Sequence, residues 1–474
     1  MHINKIYIFF VLILLMAGGC KIGKNYSRPE VTVPESFRFF EDTTTVNSEI
    51  EWWKMFNDST LDTLIRYALV NNNDMLIAAQ NVEQARLGLK IQKAEMLPKF
   101  DMGAQASRGN FAGFKLDNTS NNFALTGSVS WEIDIWGKFR RMNEAAKAQW
   151  LATTYGYQFL RISLISSVAT TYFRLLEYRK KLEISQNTYE IRNRTLDMIR
   201  QRFEAGIIPE IDYNQAQIQK EIAGAFIPYY KRMIAQTENL LSVLIGQLPQ
   251  SIEDRTTIED IDIEPQIPPG LPVQLLARRP DVLAAEQELV AQNAFIGVAQ
   301  ADRLPSISLT GLFGAASSEL SSFFTGGAAW SIGAGLVSPL FHWREKSNKV
   351  KIERSRYESA IHNYDNAILN ALREVEDALV AIETLKEEQA SYHRRTVGAI
   401  NAMELSGQRY DRGVANYIEF LESQRQAFES QLDLVTVKQE LLTSYIMLYK
   451  ALGGGWASEE EKNTAAAENS TKNN

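Results

Sequence analysis

The chain has 474 residues, a formal charge of −7, 45% hydrophobic residues and 23% charged residues. This is the composition of an ordered protein, and the length alone suggests about three domains. The acidic balance leaves no basic stripe to neutralise phosphates, so nucleic acid is not an expected partner.

The chain opens with Lys5, an apolar run from Ile6 to Ala17 and two glycines before Cys20, the only cysteine. The run is too short to span a bilayer and reads as a secretory signal peptide over residues 1–19. Cys20 after Gly18 and Gly19 resembles a lipoprotein processing site, with Ala17 in place of the usual leucine, so lipidation at Cys20 is expected. No further run of 18 or more apolar residues follows, and any bilayer crossing falls to strands.

The body repeats itself. "RFEAGIIPEIDYNQAQ" (202–217) returns as "RYDRGVANYIEFLESQ" (409–424), an offset of 207 residues. The same offset relates Leu97-Pro98 to Leu304-Pro305 and Gly246 to Gly453. Two copies of one unit are therefore expected, over 61–249 and 273–453. An acidic, proline-containing linker (250–272) joins them, residues 20–60 precede them, and a disordered tail (454–474) follows.

Each copy begins with a helix of about 25 residues, stopped by Leu-Pro because proline cannot continue the ladder. Two alternating stretches come next. Phe123, Leu125, Val129, Trp131 and Ile133 alternate with Ala124, Thr126, Ser128, Ser130 and Glu132. Ile307, Leu309 and Phe313 lie on one face of their stretch, as do Trp330, Ile332 and Leu336 of theirs, and Phe100 through Met102 to Ala106 alternate more weakly. Stretches of about 10 residues with this pattern suit transmembrane β-strands, lipid on one face and water on the other. Polar loops are expected at 108–121 and 314–327.

A very long helix then follows in each copy. From Lys138 to Phe203 there is no proline and one glycine, Gly156. Val168, Leu175, Leu182, Tyr189, Leu196 and Phe203 recur every seven residues, a coiled-coil seam. Arg344 to Tyr410 is the counterpart. Beyond each glycine turn a helix returns; Pro228 should kink the first, and Leu421, Phe428, Val435 and Leu442 form a stripe on the second. Gly206 and Gly413 supply the left-handed backbone that ends a helix.

Four strands cannot close a barrel, and an open edge in lipid is costly, so the chain must associate. Two copies give eight strands, whose interior is filled by side chains, whereas three give twelve with room for water.

Several segments carry a family resemblance: "WWKMFNDSTLDTLIRYALVNNNDMLIAAQ" (52–80), "LLARRPDVLAAEQEL" (275–289), "LPSISLTG", "SPLF" and "RYDRGVANYIEFLESQRQAF" (409–428). With the repeat, they make the chain similar to the TolC-like outer-membrane factors, lipoproteins of the NodT type. The resemblance implies a mostly α fold with a transmembrane β part: a homotrimer with a 12-stranded barrel continued by a 12-helix periplasmic tunnel. Each chain would give four strands and two long hairpins. It implies the lipid-anchored exit duct of a tripartite exporter of small molecules, working with a periplasmic adaptor (membrane fusion) protein and an inner-membrane pump of the resistance-nodulation-division type.

The resemblance places a periplasmic gate at Ile418, Glu422 and Arg425, with Tyr410 before the bend and Asp212 on the first hairpin. Ile418, Glu422 and Arg425 are four and three residues apart, so they share a helix face. Family members usually have Asp where Glu422 stands. The turns, with Gly206, Ile207, Gly413 and Val414, resemble the tips that meet an adaptor's hairpins. Simple helix termination explains the glycines equally well, and solvated charges on an exposed face is the plain reading of the acids.

The histidines are scattered, and no HExxH, GxSxG, CxxC or phosphate-binding glycine loop is present, so neither an enzyme nor a cofactor is expected. Metal-cation export through the same duct stays open. A lipid-anchored adaptor is the other alternative; it would carry one hairpin and no bilayer-length strands.

Overall fold

The computed structural model describes residues 21–31, 33–39, 51–109, 119–253, 256–261, 272, 277–323 and 328–454. The signal peptide, Cys20, most of the expected linker, residues 110–118 and 324–327 of the two loops, and residues 455–474 of the tail lie outside them. By internal contacts the chain divides into two compact units. The first comprises 1–31, 80–154 and 284–366; the second comprises 32–79, 155–283 and 367–474.

The element order repeats. A helix of 22 residues (α2, Asn73–Ala94) leads to β1 (Lys99–Gly109) and β2 (Ser120–Ile133), and a 67-residue helix (α3, Lys138–Glu204) is followed by one of 35 (α4, Glu210–Leu244). The second pass has α5 (Pro280–Ala301), β3 (Ser306–Ser317), β4 (Ala329–Val337), α6 (Glu345–Asp411) and α7 (Tyr417–Ala451), with helices of 22, 67 and 35 residues again. A shorter helix, α1 (Ser59–Asn71), stands before α2. It is capped by Asp58, whose carboxylate accepts from the Thr60 and Leu61 amides. The helix α4 runs unbroken through Pro228, where the sequence suggests a kink.

In the first unit the strands form one antiparallel sheet in the order β1-β2-β3-β4. Residues paired across strands share a face, and the register makes the two faces chemically distinct. Phe100 pairs with Val129, which pairs with Gly311, which pairs with Ile332; Trp131, Leu309 and Ala334 form another such row. Every apolar position of the alternating patterns falls on this face. The opposite face carries rows such as Asp101, Ser128, Leu312 and Ser331, and Lys99, Ser130, Thr310 and Gly333. The apolar face is bare: Phe100, Met102, Phe313, Trp330, Ile332 and Leu336 are all exposed. The strands run further into the expected polar loops than the alternation suggests. Arg108 still pairs with Asn121 and Gly109 with Ser120, because backbone pairing does not depend on side-chain polarity.

Residues just after Cys20 are held to this unit. The Arg141 guanidinium donates to the carbonyls of Ile22 (3.0 Å) and Gly23 (2.6 Å), and Lys21 pairs with Glu144 at 2.5 Å. Arg28 pairs with Glu286.

The second unit holds the main core. Trp52, Trp53 and Phe56 pack with Leu61 and Ile65 of α1, with Ile165, Val168, Tyr172, Phe173 and Leu175 of α3, and with Phe428, Val435 and Leu442 of α7. One stretch of α3 is apolar enough to cross a bilayer by composition, but more than half of it is buried within the protein. The expected linker docks here as well: Ile252, Ile258 and Ile261 are buried in the same core. Arg279 is buried and paired with Asp281 (2.6 Å) and Glu374 (2.8 Å), and it donates to the Ala451 carbonyl, which ties the start of the second repeat to the end of α7.

Candidate functional site: the ends of the two helical hairpins

Both hairpin turns lie in the second unit and close the same way. Gly206 (φ 70°) and Gly413 (φ 72°) are left-handed. The Gly206 amide donates to Phe203 and that of Ile207 to Arg202; the Gly413 amide donates to Tyr410 and that of Val414 to Arg409. These bonds satisfy the last carbonyls of α3 and α6 in the Schellman pattern. Ile207 and Val414, next to the glycines, are exposed at 71% and 64%. A Cβ on either glycine would meet nothing within 4 Å, so the backbone angle alone restricts the position.

The returning helices start differently. Pro209 precedes α4 without a side-chain cap. Asn416 caps α7, accepting from the Glu419 amide at 2.9 Å, and Glu419 in turn accepts from Arg409 Nε at 3.0 Å across the turn. Asn416 three residues before Glu419 is a capping pattern legible in the sequence.

Three of the expected gate residues do share an exposed face of α7. Ile418 is 60% exposed. Arg425 grips Glu422 with two hydrogen bonds, Nε to Oε2 at 3.0 Å and Nη2 to Oε1 at 2.7 Å, and Gln426 adds a third at 2.9 Å. Nη1 of Arg425 also donates to both oxygens of Glu429, at 2.9 and 3.0 Å. The Arg425 guanidinium, aided by Gln426, holds the Glu422 carboxyl down at about 2, far below the usual carboxylate range.

Tyr410 is elsewhere. It is buried with Ile199, Ala216 and Tyr417, stacks on Phe420 at 6.0 Å, and has the Arg202 guanidinium over its ring at 4.8 Å. Arg202 of the first hairpin also faces Asp411 of the second at 3.8 Å. Asp212 stands in the first turn of α4, close enough to act electrostatically on Tyr417, whose phenol is pushed up chiefly by burial. The Asp212 carboxylate has no hydrogen-bond donor among the described residues, so the site brings together Ile418, Glu422 and Arg425, and separates Tyr410 and Asp212 from them.

The 207-residue offset sharpens the contrast between the hairpins. It pairs Ile418 with Ile211, Glu422 with Gln215 and Arg425 with Ile218. Ile211 and Ile218 are exposed, so the first hairpin carries no charge at the positions where the second carries Glu422 and Arg425.

Sequence reasoning missed a polar layer in the interior between the hairpins: Arg192 and Thr195 of α3 with Gln424 of α7, all buried. These residues occupy core positions at helical spacing, where the seven-residue seam leads a reader to expect apolar side chains.

The outer membrane efflux protein family model matches residues 64–247 and again 271–454. The chain is 32% identical to the solvent efflux pump outer membrane protein SrpC of Pseudomonas putida, over 94% of this chain and 97% of that protein. It is 30% identical to the cation efflux system protein CusC of Escherichia coli, again over 94% of this chain and 97% of that one. Among solved structures, the Campylobacter jejuni CmeC outer membrane channel superposes with a TM-score of 0.85 at 28% identity, over 94% of this chain and 98% of that chain. Two matches to one family model, in a chain whose helices repeat at 22, 67 and 35 residues, leave one assignment: this chain belongs to the outer membrane efflux protein family.

Proposed function

We propose that three copies of this chain form the exit duct of a tripartite exporter, carrying small toxic molecules from the periplasm across the outer membrane. The observation that carries the reading is the sheet with one largely bare apolar face and an opposite face that is mostly polar, with hydroxyls, amides, glycines and the charged Lys99 and Asp101. A bare apolar face of this extent in a folded chain calls for lipid, and a polar face opposite it calls for water. The edge strands β1 and β4 have no partner within the described chain, so a barrel needs other copies.

The helices support the same count. Ile211, Ile218, Ile222, Tyr229, Leu240 and Val243 lie exposed along α4 at spacings of three to eleven residues, and Val397 and Leu405 lie exposed on α6. Such stripes suit packing against a neighbouring chain. Three chains supply twelve strands and twelve hairpin helices. The names of the relatives extend to solvents and cations alike, and cation export remains a second cargo reading. An adaptor is disfavoured, because the chain has two long hairpins and a four-stranded sheet.

Ile418, Glu422 and Arg425 are the proposed gate, with Tyr410 supporting it from the hairpin interior and Asp212 from the half-exposed first turn of α4. Gly206, Ile207, Gly413 and Val414 are the proposed contacts for a periplasmic adaptor. An inner-membrane pump, of the resistance-nodulation-division type by family resemblance, would drive transport. The test is ion conductance of the purified full-length protein in planar bilayers. Discrete channels are expected, and a protein that inserts yet never conducts would overturn the reading.

A further inference from the structure

Arg192 is the least comfortable side chain in the second unit. It is 2% exposed, in the buried stripe of α3 that includes Ile184, Ser185, Thr195 and Ile199. Its one side-chain hydrogen bond among the described residues runs from Nη1 to the Gln219 carbonyl of α4, at 2.6 Å. Its guanidinium lies 5.1 Å from the centre of the Phe428 ring on α7. Nε and Nη2 meet no acceptor among the described residues. The carboxylate within electrostatic reach, Glu429, is already held by both bonds from Arg425 on the exposed face. Burial accordingly pulls the Arg192 guanidinium down to about 10.

The surroundings are also short of partners. The side-chain oxygens of Gln215 and Gln219 are buried without donors among the described residues, as is the Tyr410 hydroxyl. Gln424 reaches Thr195 only at 3.5 Å. The fold does not demand a cation here, because the residue 207 positions later, in the second repeat, is Ala399, also buried.

A buried guanidinium with two idle donors costs free energy, and a well-packed apolar side chain of similar volume is often the more stable choice. Arg192 belongs to the first hairpin and Phe428 to the second, so parting the hairpins uncovers the guanidinium and lets water bind its free donors. We propose that Arg192 is the release residue of the hairpin pair: its incompletely satisfied burial holds the packed arrangement near the point at which the second hairpin leaves the first. Its effect on transport rests on the export-duct reading; its effect on hairpin packing does not.

The test uses backbone hydrogen exchange in the full-length protein in detergent, read over the α3 segment 192–199 and the α7 segment 421–430. Arg192→Met keeps the aliphatic volume and removes the charge and donors. Exchange in both segments is expected to slow about tenfold. Arg192→Lys keeps the charge and should exchange at the parent rate or faster. An ordinary stabilising arginine gives the opposite result, because its loss speeds exchange. Exchange in Arg192→Met that is unchanged or faster overturns the proposal, and so does equal slowing in Arg192→Lys, which would make volume the cause. Planar-bilayer recording of the parent separates the two readings. A parent that does not conduct removes the export duct, and the exchange comparison still decides Arg192.

Discussion

At Glu422 the competing effects can be ranked. Three such carboxylates around one axis would repel, but each is clamped by its own Arg425 through two hydrogen bonds and held ionised down to about pH 2. Because this pKa is depressed, the clamp's contribution is full above the ordinary glutamate range and fades as pH falls towards 2. The proposed ring should therefore keep its cation preference from pH 7 to pH 4, read as reversal potentials under a salt gradient. Arg425→Gln, which leaves only the Gln426 bond to hold the Glu422 carboxyl down, should lose much of that preference near pH 4. Glu422→Gln should lack it at every pH. Ile418→Ala should raise resting conductance by removing an apolar constriction, and so should Asp212→Ala, because its carboxylate, without a donor among the described residues, is placed to accept from a neighbouring copy's hairpin. Conductance equal to the parent's in both variants would move the gate elsewhere. The spacing of Ile418, Glu422 and Arg425 was legible in the sequence, because a helix fixes which positions share a face. The burial of Tyr410 was legible as well, because it falls on the seven-residue seam of α6, 207 residues after Phe203; its partners Ile199 and Ala216 were not, because they belong to the other hairpin and no local pattern encodes that contact.

For whole elements, the repeat was the most informative signal. It locates both glycine turns and the order helix, strand, strand, long helix, returning helix without reference to any contact. Strand alternation likewise carried through to the register. What stayed hidden was long-range: the linker isoleucines Ile252, Ile258 and Ile261 sit in the core, yet the acids and prolines around them read as a loose connection. The turns allow a clean test. A side chain at Gly413 has open space but must take a left-handed backbone, at about 1–2 kcal/mol. That cost is local to the turn, so Gly413→Glu should assemble and insert normally. If the turn docks an adaptor, the bulky charge there should abolish export, measured as loss of resistance to an exported toxicant. Normal export would reduce the turn to a helix stop.

For the whole molecule, light scattering in detergent, corrected for bound detergent, should give three chains per particle. A stable monomer would contradict both the barrel and the shared apolar stripes. Mass spectrometry of the mature protein should find an acylated N-terminal Cys20, one residue from Lys21 and its pairing with Glu144. Cys20→Ala should still reach the outer membrane, since the sheet is expected to anchor it, with reduced efficiency. The repeated helix lengths, 67 and 35 residues in each hairpin, have a geometric consequence. Hairpins of equal length bring their turns to one level, so a trimer would end in a rim of six turns with approximate sixfold symmetry. That symmetry would be broken chemically, because every second hairpin would bear Glu422 and Arg425 where its neighbour bears Gln215 and Ile218. A partner that engages the whole rim must then offer six arms in two alternating environments, or three arms that each straddle one turn of either kind.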